Sequence, residues 1–157
     1  MSIGKKTFSG PAGIRGVGLI EVLIAVLVMA VGMLGIAAMQ ATALRNSQSA
    51  LERSQAVVQT YSIIDAMRAN RDSALANEYV MAMTCTAPAA GATLATKDKN
   101  TWITSLKADH NLGATACGRI TRNGDIFSIT VQWDDSRGGT QGATGDADQI
   151  VTTQTRI

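Results

Sequence analysis

Aromatic residues are scarce in this 157-residue chain, with two each of Trp, Tyr and Phe, or 4% of the total. A folded part so poor in large rings, and rich instead in Ala, Thr, Ser and Gly, has material only for a thin core. Histidine occurs once, as His110. No second histidine, base–nucleophile arrangement, CxxC, HExxH or P-loop pattern accompanies it, so the sequence points to no enzyme, no cofactor and no metal centre. The Gly-rich run GPAGIRGVG has no strand before it that would make it a phosphate cradle. Asp134, Asp135, Asp146 and Asp148 offer clustered oxygens of the kind Ca²⁺ takes, but their spacing does not match an EF-hand loop. They read as an acidic surface loop. Proline occurs twice, at Pro11 and Pro88, so none interrupts a helix between those positions. Finally, no charge occurs from Val22 to Met39, a run of 18 residues.

The charge that is present is unevenly placed. Residues 1–16 hold Lys5, Lys6 and Arg15 and no acid, whereas the rest holds 11 basic and 12 acidic side chains. The basic balance therefore belongs to a short N-terminal arm, and the remainder, at −1, carries no general attraction for nucleic acid. A local patch around Arg119 and Arg122 is the one exception.

Directly after the arm comes RGVGLIEVLIAVLVMAVGMLGIAAM, Arg15 to Met39. Its length suits a transmembrane helix, and the preceding Lys and Arg place the arm in the cytoplasm and Gln40 onward on the far side. There, in an oxidising bacterial compartment, Cys85 and Cys117 are able to pair across 32 residues, the alternative being two free buried thiols. Three readings of the segment compete. A secretory signal would use Ala41-Thr42-Ala43 for cleavage, but the apolar run is too long for one and contains Glu21. A plain anchor leaves Glu21 unexplained, although a carboxylate at that depth costs about 2.5–3.5 kcal/mol.

The third reading comes from a resemblance. RG followed by VGLIEVLIAVLVMAVG resembles the class III signal of type IV pilins and pseudopilins, in which a short basic leader ends in Gly and the fifth mature residue is Glu. The resemblance implies cleavage between Gly16 and Val17 by a prepilin peptidase, N-methylation of Val17, and an assembly role for Glu21. That role has a physical basis: cleavage creates a positive amine at a helix N-terminus, and a carboxylate one turn in, on the same or a neighbouring subunit, neutralises it. Val17 departs from the Phe or Met more usual in the family. GMLGIAAMQ together with MRANR (67–71) is similar to the minor pilins of the type IV pilus modification protein (PilV) type. Taken alone, MRANR is an ordinary basic turn near a helix C-terminus.

The expected architecture is α+β: a long N-terminal helix packed against a small antiparallel sheet. The helix is expected from about Gly18 to about Ala74. Its first half (17–39, after a leader of 1–16) is apolar all round, and its second (40–76) is amphipathic. Leu44, Leu51 and Val58 repeat at seven, and with Val57, Tyr61 and Ile64 form the expected core stripe. Gly32 and Gly35 serve either close helix packing or local unwinding. In the head, 77–157, the stretch 86–100 reads as loop. A short helix follows, capped by Thr101 and buried through Trp102, Ile103 and Leu106, with Gly113 after its end. A disulfide would staple this unit onto the sheet, unlike the C-terminal bracket of many major pilins. RITRNGDIFSITVQW predicts a hairpin with Asn123-Gly124 as a type I′ turn and Phe127, Ile129, Val131 and Trp133 on one face. Residues 149–157 return as a last strand, giving three or four in all.

The functional expectation is a minor pilin of the type IV pilus that primes or modifies assembly at the tip and supports adhesion and twitching motility. Its implied partners are other minor and major pilins, the prepilin peptidase, the inner-membrane assembly platform and a tip adhesin. The implied location is the inner membrane, single-pass with a periplasmic head, and later the filament. A minor pseudopilin of a type II secretion system is the nearest alternative, and a DNA-binding pilin subunit the next.

Overall fold

In the computed structural model, residues 18–136 and 148–157 are described. Leu19–Ala69 form one helix, α1, of 51 residues, about 75 Å long at 1.5 Å per residue. The absence of proline and the supply of Leu, Ile, Met and Ala allow that length. The chain divides at Met39 and Gln40 into two units. In the first, the helix has apolar side chains on every face, and none of them is buried.

The second unit contains the distal part of α1 and everything after it. The helix ends earlier than its periodicity suggests. Asn70, at φ −120° and ψ 54°, leaves the helical region, and its Nδ2 donates to the Tyr79 hydroxyl at 3.2 Å. An Asn side chain with its own partner competes with helix continuation. A five-residue helix, α2 (Arg71–Leu75), follows. The chain then turns at Asn77, which sits in the left-handed region at φ 66°, where Asn is tolerated.

Strand β1 (Met81–Thr84) leads through a loop to α3 (Leu94–Leu106). This helix begins a full two turns before the expected start at Thr101. The cap is Thr93, whose Oγ1 accepts from the Thr96 N–H at 3.3 Å. Trp102, Ile103 and Leu106 are buried as expected. Strands β2 (Cys117–Asn123), β3 (Ile126–Trp133) and β4 (Gln149–Arg156) complete an antiparallel sheet in the order β1-β2-β3-β4. The hairpin is present, but its turn lies one residue further on. Asn123 pairs with Ile126 as the last rung, leaving Gly124 and Asp125 as the loop. Only Gly124, at φ +58°, carries positive φ there, so the turn is not type I′, which needs it at both positions.

Phe127, Ile129, Val131 and Trp133 are buried on one face of β3. What α1 presents to the core differs from the expected stripe. Its buried residues are Ser49, Ala56, Thr60, Ile63, Ile64 and Met67. Of the stripe only Ile64 is buried; Leu44, Leu51, Val57, Val58 and Tyr61 are 39–71% exposed. The buried face is small in its first part, with Ser49, Ala56 and Thr60, and large in its last, with Ile63, Ile64 and Met67. The polar ones are satisfied: Ser49 Oγ donates to Asp135 Oδ2 at 2.5 Å, and Thr60 Oγ1 donates to the Val57 carbonyl at 2.7 Å and pairs with Thr153 Oγ1 at 3.1 Å.

Candidate functional site

The residues expected to carry function begin at the start of α1. Gly16 and Val17, the expected cleavage and methylation positions, lie outside the described residues. Glu21 lies in the first turn. Its N–H donates to the Gly18 carbonyl at 2.9 Å, and the Val22 N–H donates to the same oxygen at 3.3 Å. The helix is thus formed from Gly18 inward, and the exposed Glu21 carboxylate sits where the N–H ends of the first turn favour negative charge. From Leu19 to Met39 no side chain is buried. Gly32 and Gly35 have open space where a Cβ would stand. Among the described residues, one helix is long and apolar enough to cross a membrane, and it is this one.

Cys85 and Cys117 are joined as a disulfide. The bond ties the loop after β1 to the first residue of β2, bracketing α3. Lys107, at the end of that helix, supports the same junction. Its Nζ donates to the Cys85 carbonyl at 2.8 Å and to the Ala114 carbonyl.

The remaining expectations resolve into local roles. His110 is exposed on the loop after α3, where it lines an open cleft of about 610 Å³ with Glu52, Asp109 and Asp134. Asp146 lies outside the described residues. Asp134 Oδ1 accepts from the Ser136 N–H at 2.8 Å, Asp135 from Ser49, and Asp148 Oδ1 from Gln132 Nε2 at 2.7 Å. No group of three or more His, Cys, Asp or Glu side chains able to hold a metal ion occurs among the described residues. Arg122 donates to the Leu75 carbonyl, to Asn77 Oδ1 at 3.2 Å and to the Gly124 carbonyl at 2.8 Å. Its guanidinium lies 5.2 Å from the centroid of the Phe127 ring. Arg119 Nη2 donates to Thr130 Oγ1 at 3.5 Å. In MRANR, Met67 is buried, Asn70 breaks the helix, and Arg68 pairs with Asp65 at 3.3 Å.

Several long-range hydrogen bonds that sequence reasoning did not anticipate hold the second unit together. Trp133 Nε1 donates to Glu52 Oε2 at 3.1 Å, and Trp102 Nε1 donates to the Gln59 carbonyl at 2.9 Å. Tyr79 is fully buried and donates to Asp98 Oδ2. Burial, followed by the hydrogen bond to Asp98, pushes the Tyr79 hydroxyl up from 10.0 to about 12. These partners lie 19 to 81 residues apart in the chain, and no local motif announces them.

No protein-family model, curated protein or solved structure matches the chain. The class defined by the fold is α+β, a long N-terminal helix packed on a small four-stranded antiparallel sheet, as in pilins.

Proposed function

We propose that the chain is a minor pilin, made as a membrane-spanning precursor and built into a type IV pilus. One observation carries the reading. Glu21, five residues after Gly16, stands in the first turn of an uninterrupted helix whose first 21 residues expose apolar side chains on every face. A soluble fold gains nothing from such a surface, whereas a bilayer and a bundle of like helices each remove it from water. The carboxylate is costly in either setting unless it meets a cation. Hydrolysis of the Gly16–Val17 peptide bond supplies one, the new α-amine of Val17. A methyl group transferred to that nitrogen leaves it basic, so the pairing survives modification.

In this reading the head stays on the far side of the inner membrane until assembly, and the helix then moves from lipid into the filament core. Pairing of Glu21 with the amine of a neighbouring subunit fixes how far each new helix advances. The type IV pilus modification protein class rests on GMLGIAAMQ and MRANR, and with it a place in a priming complex at the tip, in contact with other pilins and an adhesin.

The test is made on one preparation. The mature N-terminus is sequenced, and the protein is sought in sheared surface filaments. A start at Val17 with the protein in filaments is expected. A start at Gln40 or later overturns the reading. A start at Val17 with no protein in pili transfers it to the pseudopilus of a type II secretion system.

A further inference from the structure

The two ends of the Cys85–Cys117 bond stand in unlike places. Cys85 is exposed, whereas Cys117 is only 7% exposed. Their backbones differ in the same sense. Cys117 opens β2, an inner strand of the sheet, and pairs with Gln132 of β3. Its neighbours Ala116 and Gly118 are both buried. Cys85 follows the last residue of β1, the edge strand, and begins a stretch outside any helix or strand that lasts to Thr93. One end of the bond is thus anchored in a ladder of strands, and the other sits on a loop open to solvent.

A second observation concerns polarity. Lys107 Nζ donates to the Cys85 carbonyl at 2.8 Å and to the Ala114 carbonyl. Both acceptors are neutral backbone oxygens, so these bonds fix the ammonium beside Cys85 without cancelling its charge. A cation in that position favours the thiolate form of a cysteine. At the other end, Cys117 Sγ lies 3.2 Å from the Thr115 carbonyl oxygen. A carbonyl accepts from a protonated thiol and offers nothing to a thiolate. A third observation concerns what else holds this region. Gly118 lies against the buried side chains of Trp102 and Ile103, and Trp102 Nε1 donates to the Gln59 carbonyl at 2.9 Å. Helix α3 therefore keeps its seat on β2 through packing, and the bond opens without unfolding the sheet.

We propose that Cys85 is the exchange site of this bond, the sulfur at which thiols and disulfides of the glutathione class react with the folded chain, and that Cys117 is the resolving cysteine. Exchange has a direction, because a thiolate attacks one sulfur of a disulfide and expels the other. In reduction, an external thiolate attacks Cys85 Sγ. The bond between the two protein sulfurs breaks, and its electron pair leaves on Cys117 Sγ, which takes a proton from water and rests against the Thr115 carbonyl. Cys85 then carries the mixed disulfide. A second external thiolate attacks the external sulfur of that adduct and expels Cys85 as a thiolate beside Lys107. In sum two external thiols become one disulfide, and the protein bond takes up two electrons. Formation runs the other way. The Cys85 thiolate attacks an external disulfide and expels one of its thiolates. Cys117 then gives up its proton to water and closes on Cys85 Sγ, expelling the second. The inference stands on the second unit alone and does not depend on pilus assembly.

The test uses the full chain in detergent micelles. The intact bond is exposed to excess glutathione, samples are quenched with acid at early times, and the adduct is located by mass spectrometry of peptides. Glutathione is expected on Cys85 in about tenfold or greater excess over Cys117. An even distribution overturns the proposal, as does an excess on Cys117 or the lack of any adduct on Cys85. The single-thiol chains Cys117→Ala and Cys85→Ala are then treated with oxidised glutathione. The thiol left in Cys117→Ala is expected to react about tenfold faster than the one left in Cys85→Ala, and the gap to shrink below about twofold in urea. Equal rates in the folded chains overturn the proposal, and so does a gap that persists in urea. Where a single-thiol chain fails to fold, its rate in buffer equals its rate in urea, and the mapping on the intact bond decides. Within Cys117→Ala, Lys107→Gln is expected to slow the reaction by about threefold and Lys107→Arg to restore it. A Lys107→Gln rate equal to the parent's overturns the part assigned to the charge.

Discussion

Gly118 lies where β2 passes beneath α3. A Cβ placed there would stand 2.6 Å from Trp102 Cζ3 and 2.7 Å from Ile103 Cδ1. Both side chains are buried, and the indole is held by its bond to the Gln59 carbonyl, so neither swings away. Gly118→Ala is expected to lower stability by roughly 1–3 kcal/mol through overpacking, read as a lower urea midpoint at unchanged slope. Tyr79 yields a prediction in pH. Its hydroxyl ionises near 10.0 in the unfolded chain and near 12 in the folded one, so above pH 10 only the unfolded chain loses this proton. The stabilisation is complete below pH 10 and is lost as pH rises toward 12, by about 2–3 kcal/mol across the window. Urea titrations from pH 9 to 12 are expected to show that loss. Tyr79→Phe, weaker at pH 9 for want of two hydrogen bonds, is expected to lack this contribution to the slope.

Among the elements, the disulfide, which closes the segment containing α3 between β1 and β2, is the one cross-link that chemistry can remove at will. Closing 32 residues is expected to contribute about 3–4 kcal/mol on the chain-entropy model. Cys85→Ala with Cys117→Ala should therefore lower the unfolding free energy obtained from urea titration by that amount, and reduction of the parent chain should do the same. This cross-link was legible because only two cysteines exist and the basic arm before the apolar run led to the expectation of an oxidising compartment for both. The strands β2, β3 and β4 were legible as well, since Phe127, Ile129, Val131 and Trp133 alternate with period two. The start of α3 was not: Leu94 to Asn100 has too few apolar residues to show a helical period, and its Thr93 cap is visible only through the bond it makes. The core face of α1 was misread for a different reason. Periodicity ranks faces by apolar content, so Leu44, Leu51 and Val58 stood out, whereas the buried face begins with the small Ser49, Ala56 and Thr60, which carry little apolar signal. Asn70 carries no helix-ending signal of its own until Tyr79 is brought beside it.

At the scale of the whole molecule, every buried residue of the described chain lies beyond Gln40. A fragment of residues 40–157 is therefore expected to unfold cooperatively in detergent-free buffer, checked by circular dichroism against urea. Of the candidate site, the unbroken apolar helix that begins around Glu21 was legible in the sequence, because it is a matter of composition and the absence of proline. Glu21→Ala is expected to leave the fold and membrane insertion intact and to reduce recovery in sheared filaments by about tenfold, quantified by immunoblot against the cell-bound pool. Wild-type recovery would sink the pairing. Within the second unit, the bonds from α1 to the sheet and to the segment after β3 are spread along the helix rather than gathered at one end: Ser49 to Asp135, Glu52 to Trp133, Arg53 to Gln149, Thr60 to Thr153 and Arg68 to Thr155. Tension applied along the helix axis loads this ladder in shear, so its rungs must yield together. Tension applied across the axis peels them one after another. The second unit is thus mechanically anisotropic, strongest along the direction in which its own long helix would be pulled.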